Sequence, residues 1–495
     1  MPNRGTAPRL SAASATARLP YDRSRITPGI VHLGVGAFQR AHLAVYVDDV
    51  LRTDPSWGII GASLRRSDTR KALAPQDFLY TLAVRSGSGT AMRVIGSLLD
   101  VLDATTQRAE LIAAMANPRI RIVSLTVTEK GYCHDPATGA LDPHHPDILH
   151  DLAHPEAPVS APGLIVRALE LRRAAGVAPF AVLCCDNLPS NGETMARIVT
   201  AYAGLRGKRL ADYVAAEVAF PSTMVDRIVP ATTDADRRLV LEATGLMDAW
   251  PVVTEPFSQW VIEDRFPAGR PSFETVDAQL VTDVRPFELM KLRMLNGSHS
   301  TLAYLGYLAG YEFVNDAIAE PAFPALIRAL MTDEVMSTLP AGLGDLGAYR
   351  DALLKRFGNP ALRHRTWQIA MDGSQKLPQR LLGTIRDRLA EDRPITLAAL
   401  GVAAWMRYVT GIDEHGRAID VRDPLATRLR AISDSAGGAP AQLIDGLLRV
   451  SEVFGDDLPR SQSFRASLIN HLTSLLQRGA LKTVRNLIGE QRASN

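Results

Sequence analysis

The stretch IVHLGVGAFQRAH, residues 30–42, decides the fold. A short apolar, β-branched run closes on Gly34 and Gly36, and residues 38–51 then carry apolar side chains at helical spacing. The pattern predicts a strand, a tight turn and a helix. Glycines at those two positions let the backbone turn sharply and approach a pyrophosphate seated at a helix N-terminus. The full dinucleotide fingerprint asks for glycine or alanine at position 39, where Gln39 stands. Taken alone, the motif therefore reads equally well as a ligand-free turn.

Outward from it, short apolar runs alternate with helical patterns, the signature of a parallel α/β sheet. Strands are expected over 57–64, over 119–128 (RIRIVSLTVT, the run richest in β-branched residues) and over 180–185. Residues 79–84 and 92–98 flank Ser86-Gly-Ser-Gly-Thr90 and suggest a hairpin added to that sheet. An acid near the end of the second strand commonly meets the ribose hydroxyls, and Asp68 is the available one. Arg65 and Arg66 could instead meet a 2′-phosphate, so NADP stays open beside the preferred NAD. From Phe287 onward helical patterns dominate, over 288–309, 322–336, 396–409 and 464–488.

The expected organisation is an N-terminal extension (1–24, loosely attached), a Rossmann-like dinucleotide-binding domain (25–285) and a mostly α-helical substrate and catalytic domain (286–495). Pro286 suits the first turn of the incoming helix. Such a pair of domains would place a ligand cleft between them.

Composition narrows the partners. The chain has 495 residues, 46% hydrophobic and 22% charged, with a net charge of +2. No block of five or six like charges appears, which argues against nucleic acid. Cys133, Cys184 and Cys185 do not make a disulfide framework, and the adjacent pair reads as buried small hydrophobes. No run of about 18 apolar residues suggests a membrane span. The arginine- and serine-rich N-terminus has some transit-peptide flavour but no apolar signal region. A cytoplasmic monomer or small homo-oligomer is expected. His144, His145 and the scattered other histidines lack a spaced set of cysteine or acidic partners, so no metal is expected. Neither a G-x-S-x-G elbow nor a P-loop is present.

Two further motifs can carry chemistry. In Lys291-Leu-Arg-Met-Leu-Asn296-Gly-Ser-His299, α-helical winding at about 100° per residue spreads Lys291, Asn296 and His299 over an arc of roughly 140°. A lysine works as acid or base near neutral pH when burial lowers its pKa, and asparagine steadies an alkoxide. Asp186-Asn187-Leu-Pro-Ser-Asn191-Gly192 closes the strand over 180–185, where ligands collect in open α/β sheets, although the same residues also make an ordinary turn.

These motifs together resemble the polyol-specific long-chain dehydrogenase/reductase family, the mannitol dehydrogenase family. The carrying segments are IVHLGVGAFQRAH (30–42), SLTVTEKGYC (124–133), CDNLPSNG (185–192), FPSTMVDRIVP (220–230), EPFSQWVIED (255–264), FELMKLRMLNGSHS (287–300) and RHRTWQIAMDGSQKLPQRLL (363–382). Gln39 departs from the histidine usual there. The resemblance implies a metal-free NAD(P)-dependent oxidoreductase acting on a sugar acid or polyol. By position, it implies Lys291 as acid–base and Asn187 and Asn296 as holders of the reacting oxygen. It further implies His299 as a substrate and orientation contact, Glu288 as proton relay and Asp226 as a substrate hydroxyl contact. Gly34, Gly36 and Phe38 fall in the cofactor loop.

Thr128 to Cys133, Gly297 to Ser300 and Arg363 to Trp367 look closer to the fructuronate reductases of the family than to its mannitol dehydrogenases. Fructuronate and mannonate carry a carboxylate, for which Arg363, Arg365 and Lys376 are candidate partners. Mannitol/fructose or another polyol is the alternative substrate. A non-catalytic nucleotide or sugar sensor and a 6-phosphogluconate-type dehydrogenase are the alternative readings of the whole.

Overall fold

β-Branched runs in the first half form strands, and the polypeptide divides into two compact units, Met1–Arg285 and Pro286–Asn495, in the computed structural model. It describes residues 7–15, 18–135 and 138–494, without the side chains of 129, 130 and 491–494.

The strands of unit 1 are β1 (Pro28–Leu33), β2 (Gly58–Ser63), β3 (Tyr80–Ser86), β4 (Gly89–Ile95), β5 (Leu98–Asp103), β6 (Ile122–Leu125), β7 (Ala181–Cys184), β8 (Thr223–Asp226), β9 (Val252–Thr254), β10 (Gln259–Glu263) and β11 (Gln279–Val281). Five of them form a parallel sheet in the order β5-β2-β1-β6-β7. The chain builds outward from β1 on one side, then returns to β6 and β7 on the other. The strand order thus reverses between β1 and β6, and in open α/β sheets the crevice at that point holds ligands. Both faces of the sheet are covered, which is why its central strands read as unbroken apolar runs. Val31, Leu33, Val123 and Val182 pack on one side, and Ile30, Ile122 and Leu183 on the other.

Three expectations need correction. The hairpin exists, but it does not join the main sheet. β3 and β4 pair with each other, and β3 pairs with the distant β9 in a separate sheet of order β4-β3-β9. The chain leaves β4 at Gly96, whose amide donates to Asp48 Oδ1 at 2.7 Å, while Ser97 Oγ donates to Ala44 O at 2.7 Å. That anchor turns it into β5. The helix expected over 38–51 is broken at His42 (φ −123°, ψ −92°) into Ala37–Ala41 and Leu43–Val50. The N-terminal segment, where described, is attached rather than loose. Arg9 bridges to Met247, and Leu10 and Ala15 are buried with Leu79, Val94 and Leu246. Residues 1–6 and 16–17 of that segment lie outside the described residues.

A buried histidine ties β1 to β6 beside the strand-order reversal. Thr126 Oγ1 donates to Gly34 O at 2.9 Å, so it must accept from His32 Nε2, also at 2.9 Å. Nδ1 then accepts from Ser124 Oγ at 2.8 Å. Burial drives the imidazole pKa down to about 3.

Unit 2 is helical, with isolated bridges as its only strand pairing among the described residues. Residues 285–308 run as one helix: Arg285–Met290, a π-helical stretch Lys291–Gly297, and Ser298–Leu308. Ser298–Leu308 and Thr396–Tyr408 are buried almost throughout. They approach closely at Gly401, where a Cβ would fall 2.5 Å from Thr301 Oγ1. Thr396–Tyr408 has no side-chain cap of its own; buried Glu334 accepts from the amides of Leu397 and Ala398, each at 2.8 Å. The helix expected over 464–488 is divided by Gly479 (φ +80°) into Gln462–Arg478 and Ala480–Ser494.

The depressed His32 value has a consequence for stability. The unfolded imidazole, near 6.5, takes a proton first, so stability is lost as pH falls below that value. Between pH 7 and pH 5 the loss through this histidine is about 2 kcal/mol. Urea unfolding at the two pH values should show it, and His32→Asn should lose that component of the pH dependence.

Candidate active site

In unit 1 the candidate cofactor residues gather at the C-terminal end of β1. Gly34 has φ +93°, and a Cβ there would lie 2.1 Å from Thr126 O. Only glycine fits. At Gly36 the nearest such contact is 3.9 Å away, which leaves the backbone open to a ligand. Thr69 Oγ1 donates to Val35 O at 3.3 Å, so the helix Asp68–Leu73 abuts this turn. Asp68 is exposed in the first turn of that helix, beyond the end of β2. Arg65 is paired with Asp147. Phe38 is half-buried and stacks on His42 with ring centroids 4.9 Å apart.

Gln39 tests whether this turn fits a dinucleotide. The residue is fully buried, yet neither its Oε1 nor its Nε2 has a protein partner. A buried amide left unbonded costs about 1–3 kcal/mol, so the turn carries polar capacity that a bound polar group can satisfy. The residues present therefore fit the group. Gly34, Val35 and Gly36 would hold it, with Asp68 in the helix that abuts the turn.

The end of β7 is built by hydrogen bonds. Asp186 Oδ2 accepts from Val127 N at 2.8 Å and from the buried Tyr132 hydroxyl at 2.5 Å, which links the loops after β6 and β7. Exposed Asn187 follows directly. Asn191, read from the sequence as part of a turn, is a buried strut. Its Nδ2 donates to Asp186 O at 3.1 Å and to Thr223 O at 2.8 Å, and its Oδ1 accepts from Thr223 N at 2.9 Å. It thereby joins β7 to β8, whose last residue is buried Asp226.

In unit 2, Glu288, Lys291, Asn296 and His299 share the continuous helix over 285–308. The π-helical winding revises the expected arc. With i→i+5 bonding, residues five apart such as Lys291 and Asn296 come nearer to the same side than α-helical geometry allows. Lys291 and His299 are each 9% exposed, and Asn296 is half-buried. The stretch is seated by Gly297, where a Cβ would lie 2.6 Å from Arg380 O. That close approach sets it against a second π-helical stretch, Pro378–Leu382, which continues the helix Gly373–Leu377.

The imidazole of His299 stacks on Phe357 (5.0 Å, 23°) and meets His364 edge-on at 5.1 Å. Its pKa is held well below the usual value by burial first, then by His364, Arg380, Arg356 and Lys376. Lys376 donates to Met371 O at 2.5 Å, and burial followed by Arg380 lowers its pKa. Arg380 donates to Ser300 Oγ at 2.9 Å. Arg356 and Arg380 were missed in the sequence, although Lys376 and Arg380, four apart on one helix, share a face. Arg365 sits elsewhere: it is 56% exposed, pairs with Glu312 at 3.3 Å and lies over Phe313. Arg363 also lies over Phe313, at 4.4 Å.

His145 does acquire such partners in unit 1. The fold brings donor atoms of Cys133, His145 and Asp147 within 4.8 Å of one another. Separation along the chain, bridged by a loop, hides this from spacing arguments.

The family model for the mannitol dehydrogenase Rossmann domain matches residues 28–275, and that for the mannitol dehydrogenase C-terminal domain matches residues 283–476. The chain belongs to the mannitol dehydrogenase family. It is an oxidoreductase with that family's Rossmann-like and helical domains. It is 49% identical to an uncharacterized oxidoreductase, YdfI, of Escherichia coli (strain K12), over 95% of this chain and 98% of that one. It is 48% identical to the D-mannonate oxidoreductase of the same strain, over 94% and 97%. Among solved structures, the mannitol 2-dehydrogenase of Pseudomonas fluorescens, in a ternary complex with NAD and D-mannitol, is 41% identical with a TM-score of 0.82, over 97% of this chain and 99% of that one. No helix among the described residues is long and apolar enough to cross a membrane.

Replacing Gln39 by Met removes the unbonded amide. The expected result is a free protein more stable by about 1–2 kcal/mol in urea unfolding, together with weaker NADH binding in a fluorescence titration.

Proposed function

We propose that this mannitol dehydrogenase family member interconverts a secondary alcohol and a ketone on a sugar-derived acid, D-mannonate and D-fructuronate, using NAD. The observation that supports the substrate reading is the basic neighbourhood of His299: His364 meets its ring at 5.1 Å, Arg380 bonds the adjacent Ser300 at 2.9 Å, and Arg356 and Lys376 also bear on the imidazole. Such a wall suits a carboxylate better than a neutral polyol. Lys376, Arg356 and Arg380 take that role in preference to Arg365 because they bear on His299, whereas Arg365 is exposed and turned to Glu312; Lys376 also lies 3.8 Å from Asp372. NAD is preferred as the cofactor because it is the one held by the Pseudomonas fluorescens mannitol 2-dehydrogenase, 41% identical over 97% of this chain.

Bound NAD supplies the hydride acceptor in oxidation, and its reduced form the donor in reduction. The side chains manage the proton and the developing charge. Neutral Lys291 takes the alcohol proton in oxidation; its protonated form returns one to the ketone oxygen in reduction. Asn296 and Asn187 donate hydrogen bonds to that oxygen as charge builds on it. Glu288, about one turn before the lysine, passes the proton toward solvent. His299, neutral by burial, orients the substrate, and Asp226 receives one of its hydroxyl groups. Each of these side chains works without a metal ion.

D-Mannitol and D-fructose form the second reading, favoured by the 41% identity to the mannitol 2-dehydrogenase.

Lys291→Ala should remove most turnover while leaving NADH binding near normal; a variant that keeps its activity would show that another group moves the proton. Asn296→Ala should lower kcat by about 10²–10³ in steady-state assays. Following NADH and NADPH oxidation with D-fructuronate, D-tagaturonate and D-fructose separates the substrates. Fructuronate with NADH is expected to turn over fastest, and preference for fructose would reverse the substrate assignment.

A further inference from the structure

Sulfur, imidazole nitrogen and carboxylate oxygen converge in unit 1 at a place that the oxidoreductase chemistry does not use. We propose that Cys133, His145 and Asp147 form a binding site for one borderline divalent cation of the Zn²⁺ or Co²⁺ class. The three donor atoms lie within 4.8 Å of one another. Around a tetrahedral ion with ligand distances of about 2.0–2.3 Å, donors sit roughly 3.5 Å apart. Side-chain rotation by about 1 Å closes the difference, and the donors sit on two short segments that are already fixed.

Cys133 is 2% exposed at φ +52°, and its carbonyl accepts from Asp142 N at 2.9 Å, with His134 and Leu141 bridged beside it. His145 caps the helix Pro146–Ala153, its Nδ1 accepting from Asp147 N at 3.2 Å. A cation recruiting that imidazole gives up at most this one long bond. Asp147 stands in the first turn of the same helix.

The donor set points to the metal class. Thiolate and imidazole favour Zn²⁺ and Co²⁺ over the hard ions Mg²⁺ and Ca²⁺, which take oxygen ligands. A thiolate and a carboxylate bring two negative charges, which one divalent ion balances. Three protein donors leave a fourth position for water. The cluster also holds a cation already: the Arg65 guanidinium pairs with Asp147, on a side chain 62% exposed. Such a side chain can swing into solvent when a more strongly held ion arrives, so Arg65 and the metal compete for one carboxylate.

The test uses the full chain, freed of metal by chelator and titrated with Co²⁺ alone. One equivalent should bind with an intense near-ultraviolet thiolate-to-cobalt absorption, and Zn²⁺ should displace it. Cys133→Ser should abolish that absorption. His145→Asn, which keeps a cap acceptor, should weaken binding about tenfold or more. Arg65→Ala should strengthen it severalfold. Absence of the thiolate band, or a band that persists in Cys133→Ser, overturns the proposal. Should Cys133→Ser fail to fold, the opposite shifts of His145→Asn and Arg65→Ala decide it, and affinity unchanged in both overturns it equally.

Discussion

The widened turn over Lys291–Gly297 is the constraint on which the candidate chemistry rests. An α-helix would set Lys291 and Asn296 well apart around its axis. Bonding five residues back instead of four brings them toward one side. Such winding is poorly packed on its own. Here it is held by a backbone-to-backbone approach, Gly297 against the carbonyl of Arg380, which no larger residue permits. Lys291, Asn296 and the helix bearing Lys376 and Arg380 are thus set by one missing side chain.

Unit 1 applies the same device differently. Gly34 gives up a side chain so that the turn after β1 can lie against Thr126, and Thr126 in turn bonds both Gly34 and His32. Asp186 performs the matching task one strand further on, holding the loops after β6 and β7 together beneath Asn187. Both loops of unit 1 are therefore backed by buried polar contacts between protein atoms. Gln39, in the turn after β1, has both amide atoms buried without a protein partner, polar capacity that a ligand could use.

Much of this was legible in the sequence. β-Branched runs predict the strands of the parallel sheet because burial on both faces leaves no room for polar alternation. The motif residues follow from resemblance, position by position. Other features were not legible, for identifiable reasons. Apolar periodicity over 288–309 cannot distinguish four-residue from five-residue bonding, so the π-helical stretch was invisible. The hairpin partner β9 is remote in the chain, and hairpin signals say nothing of a third strand. Gly479 lies inside a continuous helical pattern and ends a helix only through its left-handed backbone. Nothing in their sequence neighbourhood marks Arg356 and Arg380, which only the packing buries near His299. The donors at 133, 145 and 147 are brought together by pairing such as Asp142 N to Cys133 O, which no spacing rule announces.

Arg380 plays two parts that do not interfere. Its carbonyl receives Gly297, while its guanidinium reaches Ser300 and bears on His299. Any residue supplies the carbonyl; only arginine supplies that charge. On the proposed carboxylate reading, a substitution at 380 would change the charge that the substrate meets while leaving the Gly297 contact, which is made to backbone, available to the new residue.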